Sequence, residues 1–122
     1  MMNGMKLALI GLALGSAASM AADCTAPTLP TLPTGATASM DEMLAGQKAV
    51  KEFQTANAEY RTCLEPQVSA AEVAAAGDSP AEEAVAALKK LNEDYNGSVS
   101  KEEELAEKFN VELRNYKEAN PK

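Results

Sequence analysis

The stretch Met40–Leu64, MDEMLAGQKAVKEFQTANAEYRTCL, decides the fold. Ser39 stands just before it and Glu42 three residues later, the reciprocal pair that caps a helix start. With Met43, Val50, Asn57 and Leu64 at position a of a heptad, Gly46, Phe53 and Tyr60 fall at d, the pattern of a helix laid along a second helix. Pro66 kinks or interrupts this helix, Ser69–Ala76 can resume it, and Gly77 is a natural terminator. Ser79-Pro80-Ala81-Glu82 offers a new start, with a cap, a first-turn proline and a reciprocal Glu.

Helical composition continues from there to about Ala119, so the expected segments are about 40–64, 67–76 and 80–119. Val85, Asn92, Val99, Ala106 and Leu113 take a in the second stretch, and Leu88, Tyr95, Glu102, Phe109 and Tyr116 take d. The aromatics Phe53, Tyr60, Tyr95, Phe109 and Tyr116 then all sit at d, and the phase passes Asn96-Gly97 without a slip. One continuous second helix follows, with a soft spot at Gly97 that costs about 1 kcal/mol relative to Ala. A turn near Gly77 makes the pair an antiparallel hairpin, with Gly46 expected opposite Ala106 and Asn57 opposite Tyr95. Glu102 is the misfit of that seam, because its carboxylate must reach the edge or find a partner.

The flanks of the seam are unequal. One carries Ala49, Ala56, Cys63, Ala84, Leu91 and Leu105, whereas the other is mostly Gln47, Gln54, Arg61, Lys89, Glu103 and Lys117. The apolar flank needs a cover, and Ala26–Ala38, APTLPTLPTGATA, can supply it. Its prolines and tandem TLP favour an extended or polyproline conformation. The segment from Cys24 to Ser39 reaches up to roughly 45–50 Å when extended, and Ser39 to Cys63 along a helix is roughly 36 Å. An arm of residues 22–38 can thus run back along the hairpin with Leu29 and Leu32 on the apolar flank and Cys24 bonded to Cys63. The expected fold is all-α, an antiparallel helical hairpin with an extended Pro-rich N-terminal arm stapled by one disulfide.

Compartment follows from the first 21 residues. Lys6, the apolar run Leu7–Leu14 and the small-residue exit ending at Ala21 form a secretory signal cleaved near Ala21/Ala22. Its apolar run is too short to span a bilayer, and Asp23 before Cys24 does not suit lipid attachment. An exported chain with a single Cys pair reads as disulfide-bonded. Cleavage removes Lys6 alone, leaving ten basic residues against eighteen acidic ones. That balance opposes nucleic acid and anionic lipid.

The chain has no His, no G-x-S-x-G and no Gly-rich phosphate loop, so no catalytic or cofactor-binding residue is expected. Met40 and Met43 read as apolar contacts rather than a copper site, and Glu102–Glu104 with Glu107 as a solvated helix face. Cys24 with its Pro/Thr-rich arm, the quoted Met40–Leu64 stretch and the closing KFNVELRNYK together resemble small uncharacterised secreted or periplasmic helical proteins of Gram-negative bacteria. The resemblance implies a location and no activity. The expected role is a non-enzymatic interaction or structural module of the envelope, with an unknown envelope protein as partner and homo-oligomerisation left open. The alternatives are a small chaperone that exposes its apolar flank and an inhibitor or carrier of a basic partner.

Overall fold

A capped start at Ser39 and a long run of helix-forming residues give α1, Met40–Ala75, and the second such run gives α2, Glu82–Ala119. The computed structural model describes residues 24–121, and among these the only regular elements are the two helices, packed on one another as a hairpin. The expected signal segment 1–21 and arm residues 22–23 lie outside the described residues. Neither described helix is long and apolar enough to cross a membrane.

The Glu42 amide donates to Ser39 Oγ at 3.1 Å, as the capping pair requires. Two expected boundaries are corrected. No separate 67–76 helix exists, since α1 is unbroken with Pro66 inside it. Pro66 is exposed, so its ring faces water, while buried Leu64 before it and half-buried Val68 after it hold the adjoining turns in place. An interior proline costs on the order of 3 kcal/mol in a helix, and packing on both sides outweighs it here. Ser79 does not cap α2, whose N-cap is Ala81 with no side-chain hydrogen bond. The chain leaves α1 through Gly77, at φ 124°, a left-handed conformation suited to glycine. Beyond it, α2 passes through Gly97 unbroken.

On α1 the expected seam is the buried one: Met43, Gly46, Val50, Phe53, Asn57 and Leu64 are buried, and Tyr60 is half-buried. On α2 the strip is rotated. Ser98, Leu105 and Phe109 are its buried residues. Half-buried Ala84, Leu88, Leu91, Tyr95, Glu102 and Tyr116 extend the same line; of the expected a positions, Val99, Ala106 and Leu113 are half-buried, Leu113 against the core cluster, and Val85 and Asn92 are exposed. The line runs along d and g because α2 meets two neighbours, α1 and the arm, and its buried face is centred between them.

The register moves with it. Asn57 Nδ2 donates to the Ser98 carbonyl at 2.8 Å, and a Cβ built on Gly46 would lie 3.3 Å from the Phe109 ring. Each partner is three positions farther along α2 than the expected Tyr95 and Ala106, close to one helical turn. The hydrogen bond foreseen between Asn and Tyr side chains is thus made to a backbone carbonyl, beside the small Ser98 side chain. Asn57 is the most completely buried side chain among the described residues, at 2% exposure. Satisfying its amide ties α1 to one height on α2.

Candidate functional site

The groove between the helices is filled by residues 24–38, and their sequence explains how they lie in it. Pro27, Pro30 and Pro33 recur every third residue, as do Thr25, Thr28, Thr31 and Thr34. A polyproline II strand has three residues per turn, so each series forms one column along it. The three prolines are half-buried and the four threonines exposed, which places one column against the helices and the other in water.

Each proline meets a different part of the groove. Pro27 lines a cavity of about 240 Å³ with Phe53, Asn57, Tyr60 and Ser98. Pro30 sits with Leu29 and Leu32 beside Leu105, Lys101 and Lys108 around about 260 Å³. Pro33 lies over Gly46, where an added Cβ would come within 2.7 Å of its ring. The arm then turns back into α1 through Thr37 and Ala38 amides that donate to the Thr34 carbonyl at 3.1 and 2.8 Å. At that turn Gly35 presses directly on the α2 backbone, and a Cβ there would collide with the Glu112 carbonyl and lie 2.9 Å from the Tyr116 amide nitrogen. The small residue at Gly46 therefore admits an arm proline as well as the Phe109 ring, rather than letting it meet Ala106.

At the far end Cys24 and Cys63 are bonded, with their Cα atoms 5.6 Å apart. Cys63 is exposed and Cys24 half-buried, and Gln67 Nε2 lies 3.1 Å from Cys24 Sγ. Thr25–Thr28 border a cavity of about 500 Å³ with Ala56, Glu59, Tyr60 and the two cysteines. Among the flank residues, Leu105 is 4% exposed and belongs to the core cluster against which Leu32 packs. Leu29 is 47% exposed. Ala49, Ala56, Ala84 and Leu91 are half-buried. Leu29, Leu32 and Leu105 share one cavity and Ala56 shares another with the arm, whereas no described arm residue lines a cavity with Ala84 or Leu91.

Polar groups close the opposite side. Arg61, assigned to the solvated flank, is instead half-buried: one guanidinium nitrogen is 3.5 Å from the Glu102 carboxylate and another donates to Ser98 Oγ at 3.3 Å. Glu102 thus has the partner its position demands. Arg61 does not stand out by spacing, since its role arises from the register of α2, whereas Tyr60 lies on the seam where its d position puts it. Burial, followed by the nearby Asp94 carboxylate, pushes the Tyr60 phenol above its ordinary value of 10.0, and Lys90 opposes the shift. A raised phenol pKa favours the neutral folded form. Its stabilisation is present below pH 10 and lost as pH rises through the folded value. Tyr60→Phe should flatten that alkaline fall in melting temperature, and an unchanged slope would assign it elsewhere.

No group of three His, Cys, Asp or Glu among the described residues is gathered to hold a metal ion. The exposed i,i+4 ion pairs there are Lys48–Glu52, Lys89–Glu93 and Lys90–Asp94. Glu104 and Lys108, four residues apart on α2, both border the arm.

Placement on the strip separates two acid–apolar contrasts on α2. Leu91→Asp puts a charge on a half-buried position and should lower stability by about 1–2 kcal/mol. Glu103→Ala, at an exposed position, should change it by less than about 0.5 kcal/mol. Equal shifts in urea midpoint would contradict the strip. No protein-family model, curated protein or solved structure matches the chain.

Proposed function

We propose that the protein is a non-enzymatic module of the bacterial envelope that works by presenting a fixed helical surface to another envelope component. The observation that carries this reading is the Cys24–Cys63 bond. It joins the start of the arm to the middle of α1 and holds one groove-and-strand surface in place, and such bonds persist in oxidising compartments. The excess of acidic over basic residues supports protein partners over nucleic acid.

A second reading rests on Leu105, buried beneath an arm that also carries Leu29 and Leu32. Lifting the arm uncovers an apolar flank of the kind a small chaperone offers to unfolded clients. In-cell cross-linking of the tagged, exported protein, followed by isolation and mass spectrometry, tests both. One specific envelope partner supports the module. Recovery of the protein alone points to a self-contained structural role, and a broad spread of unrelated proteins favours the chaperone.

A further inference from the structure

The arm is the occupant of a groove, and its seating tells what the groove recognises. Its two halves are held differently. Residues 32–38 are locked in: Ala38 is buried, Pro33 lies on Gly46 and Gly35 on the α2 backbone. Residues 24–30 contribute no buried residue, cavities of about 500 and 240 Å³ border the strand, and its covalent anchor ends at an exposed Cys63. What this half places in the groove is Pro27 against Phe53 and Tyr60, and Pro30 beside Leu105. Aromatic and apolar side chains receiving prolines three residues apart form the general arrangement by which proteins bind polyproline II strands.

We propose that this groove is a receptor for extended peptides of a partner protein that carry proline at every third residue, kept closed in the oxidised protein by the chain's own arm. The proposal rests on the interaction-module reading and names its partner's chemistry. A tethered arm competes at an effective concentration on the order of millimolar, so a peptide enters only once the staple is open. Opening is a two-electron reduction by a dithiol. The dithiol's thiolate attacks the exposed Cys63 sulfur, the bond to Cys24 breaks, and Cys24 leaves as a thiolate that takes a proton. The second thiol of the reductant then displaces Cys63, which leaves as a thiolate and is protonated, and the reductant becomes a disulfide.

The test is fluorescence anisotropy of a labelled peptide, TAPTLPTLPT, with the full chain carrying Cys24→Ser, Pro27→Asp and Pro30→Asp, which frees the part of the groove that residues 24–30 occupy. Saturable binding is expected, at least tenfold weaker for a peptide of the same composition with its prolines off the three-residue period, and absent with the oxidised wild type. No binding, or equal binding of the two peptides, by a variant that circular dichroism shows to be helical overturns the proposal. If that variant does not fold, the wild type decides. In a thiol buffer the peptide CTAPTLPTLPT should be captured on Cys63 at least tenfold more than its shuffled counterpart, and equal capture overturns the proposal. A reduced wild type that dimerises without capturing peptide would place a second copy's arm in the groove and overturn it too. An in-cell partner without a proline repeat would leave the module standing and remove this inference alone.

Discussion

Replacing Cys63 with Ser should lower the melting temperature by roughly 15–30 °C. The bond closes a loop with a sequence separation of 39, which by the chain-entropy model contributes about 4 kcal/mol, and each kcal/mol moves the midpoint of a domain this small by about 4–8 °C. Here the loop entropy acts on a thin structure. The buried apolar residues are Ala38, Met43, Val50, Phe53, Leu64, Leu105 and Phe109, a short roster for two helices of 36 and 38 residues. Losing the staple also frees the half of the arm that has no buried residue, so limited proteolysis should cut the variant between Thr25 and Leu29 before it cuts either helix. Cys24→Ser should give the same melt. A midpoint within a few degrees of wild type would mean that helix packing alone sustains the fold.

The staple, the arm and the seam of α1 were legible because each has a local cause. A period of 3.5 residues marks a helix face, prolines at every third residue favour an extended strand, and two cysteines have one pair to form. Phe53 and Asn57 could be placed from α1 alone. The height and rotation of α2 could not, because they depend on a third body. A heptad on two helices centres both seams on a and d. Where the arm lies on α2 the strip shifts toward g and Ser98 comes to Asn57. Arg61 illustrates the consequence: on a two-helix wheel it belongs to the wet side, yet in three dimensions it lies between Ser98 and Glu102.

Pro66 was misleading for the opposite reason, since it carries a strong local signal that packing overrides, and nothing in the structure explains why Ser79, in an exposed turn, does not cap α2. An exposed proline between buried Leu64 and half-buried Val68 does not end α1. The candidate site had a sequence signal in the three-residue period of Pro and Thr, though it takes the docked strand to show that the prolines face in. The role of Gly35 had none. A glycine in a Pro/Thr-rich segment looks like a turn residue, and only the approach of α2 makes it a contact surface.

Second to loss of the staple, Gly35→Val should therefore be the most damaging single change in the arm. At Gly46 an added methyl meets the Phe109 ring, which can turn, and ring carbons of Pro33, which move only with the arm. At Gly35 it meets the Glu112 carbonyl and the Tyr116 amide of an intact helix, and no rotamer change relieves a collision with backbone. The turn must lift off α2, taking with it the burial of Ala38 and Leu32. The expected loss is about 3 kcal/mol, at the upper end of what overpacking costs. Gly77→Ala is the control. Its position has nothing within 4 Å of an added Cβ and a φ of 124°, so the change strains only the backbone and should cost about 1–2 kcal/mol without touching the arm. Hydrogen exchange separates the two, because Gly35→Val should deprotect the Thr37 and Ala38 amides that donate to Thr34 while Gly77→Ala leaves them protected. If Gly35→Val keeps those amides protected and the melt unchanged, the arm does not reach the α2 backbone at Glu112, and the contact that sets the hairpin's third body is wrong.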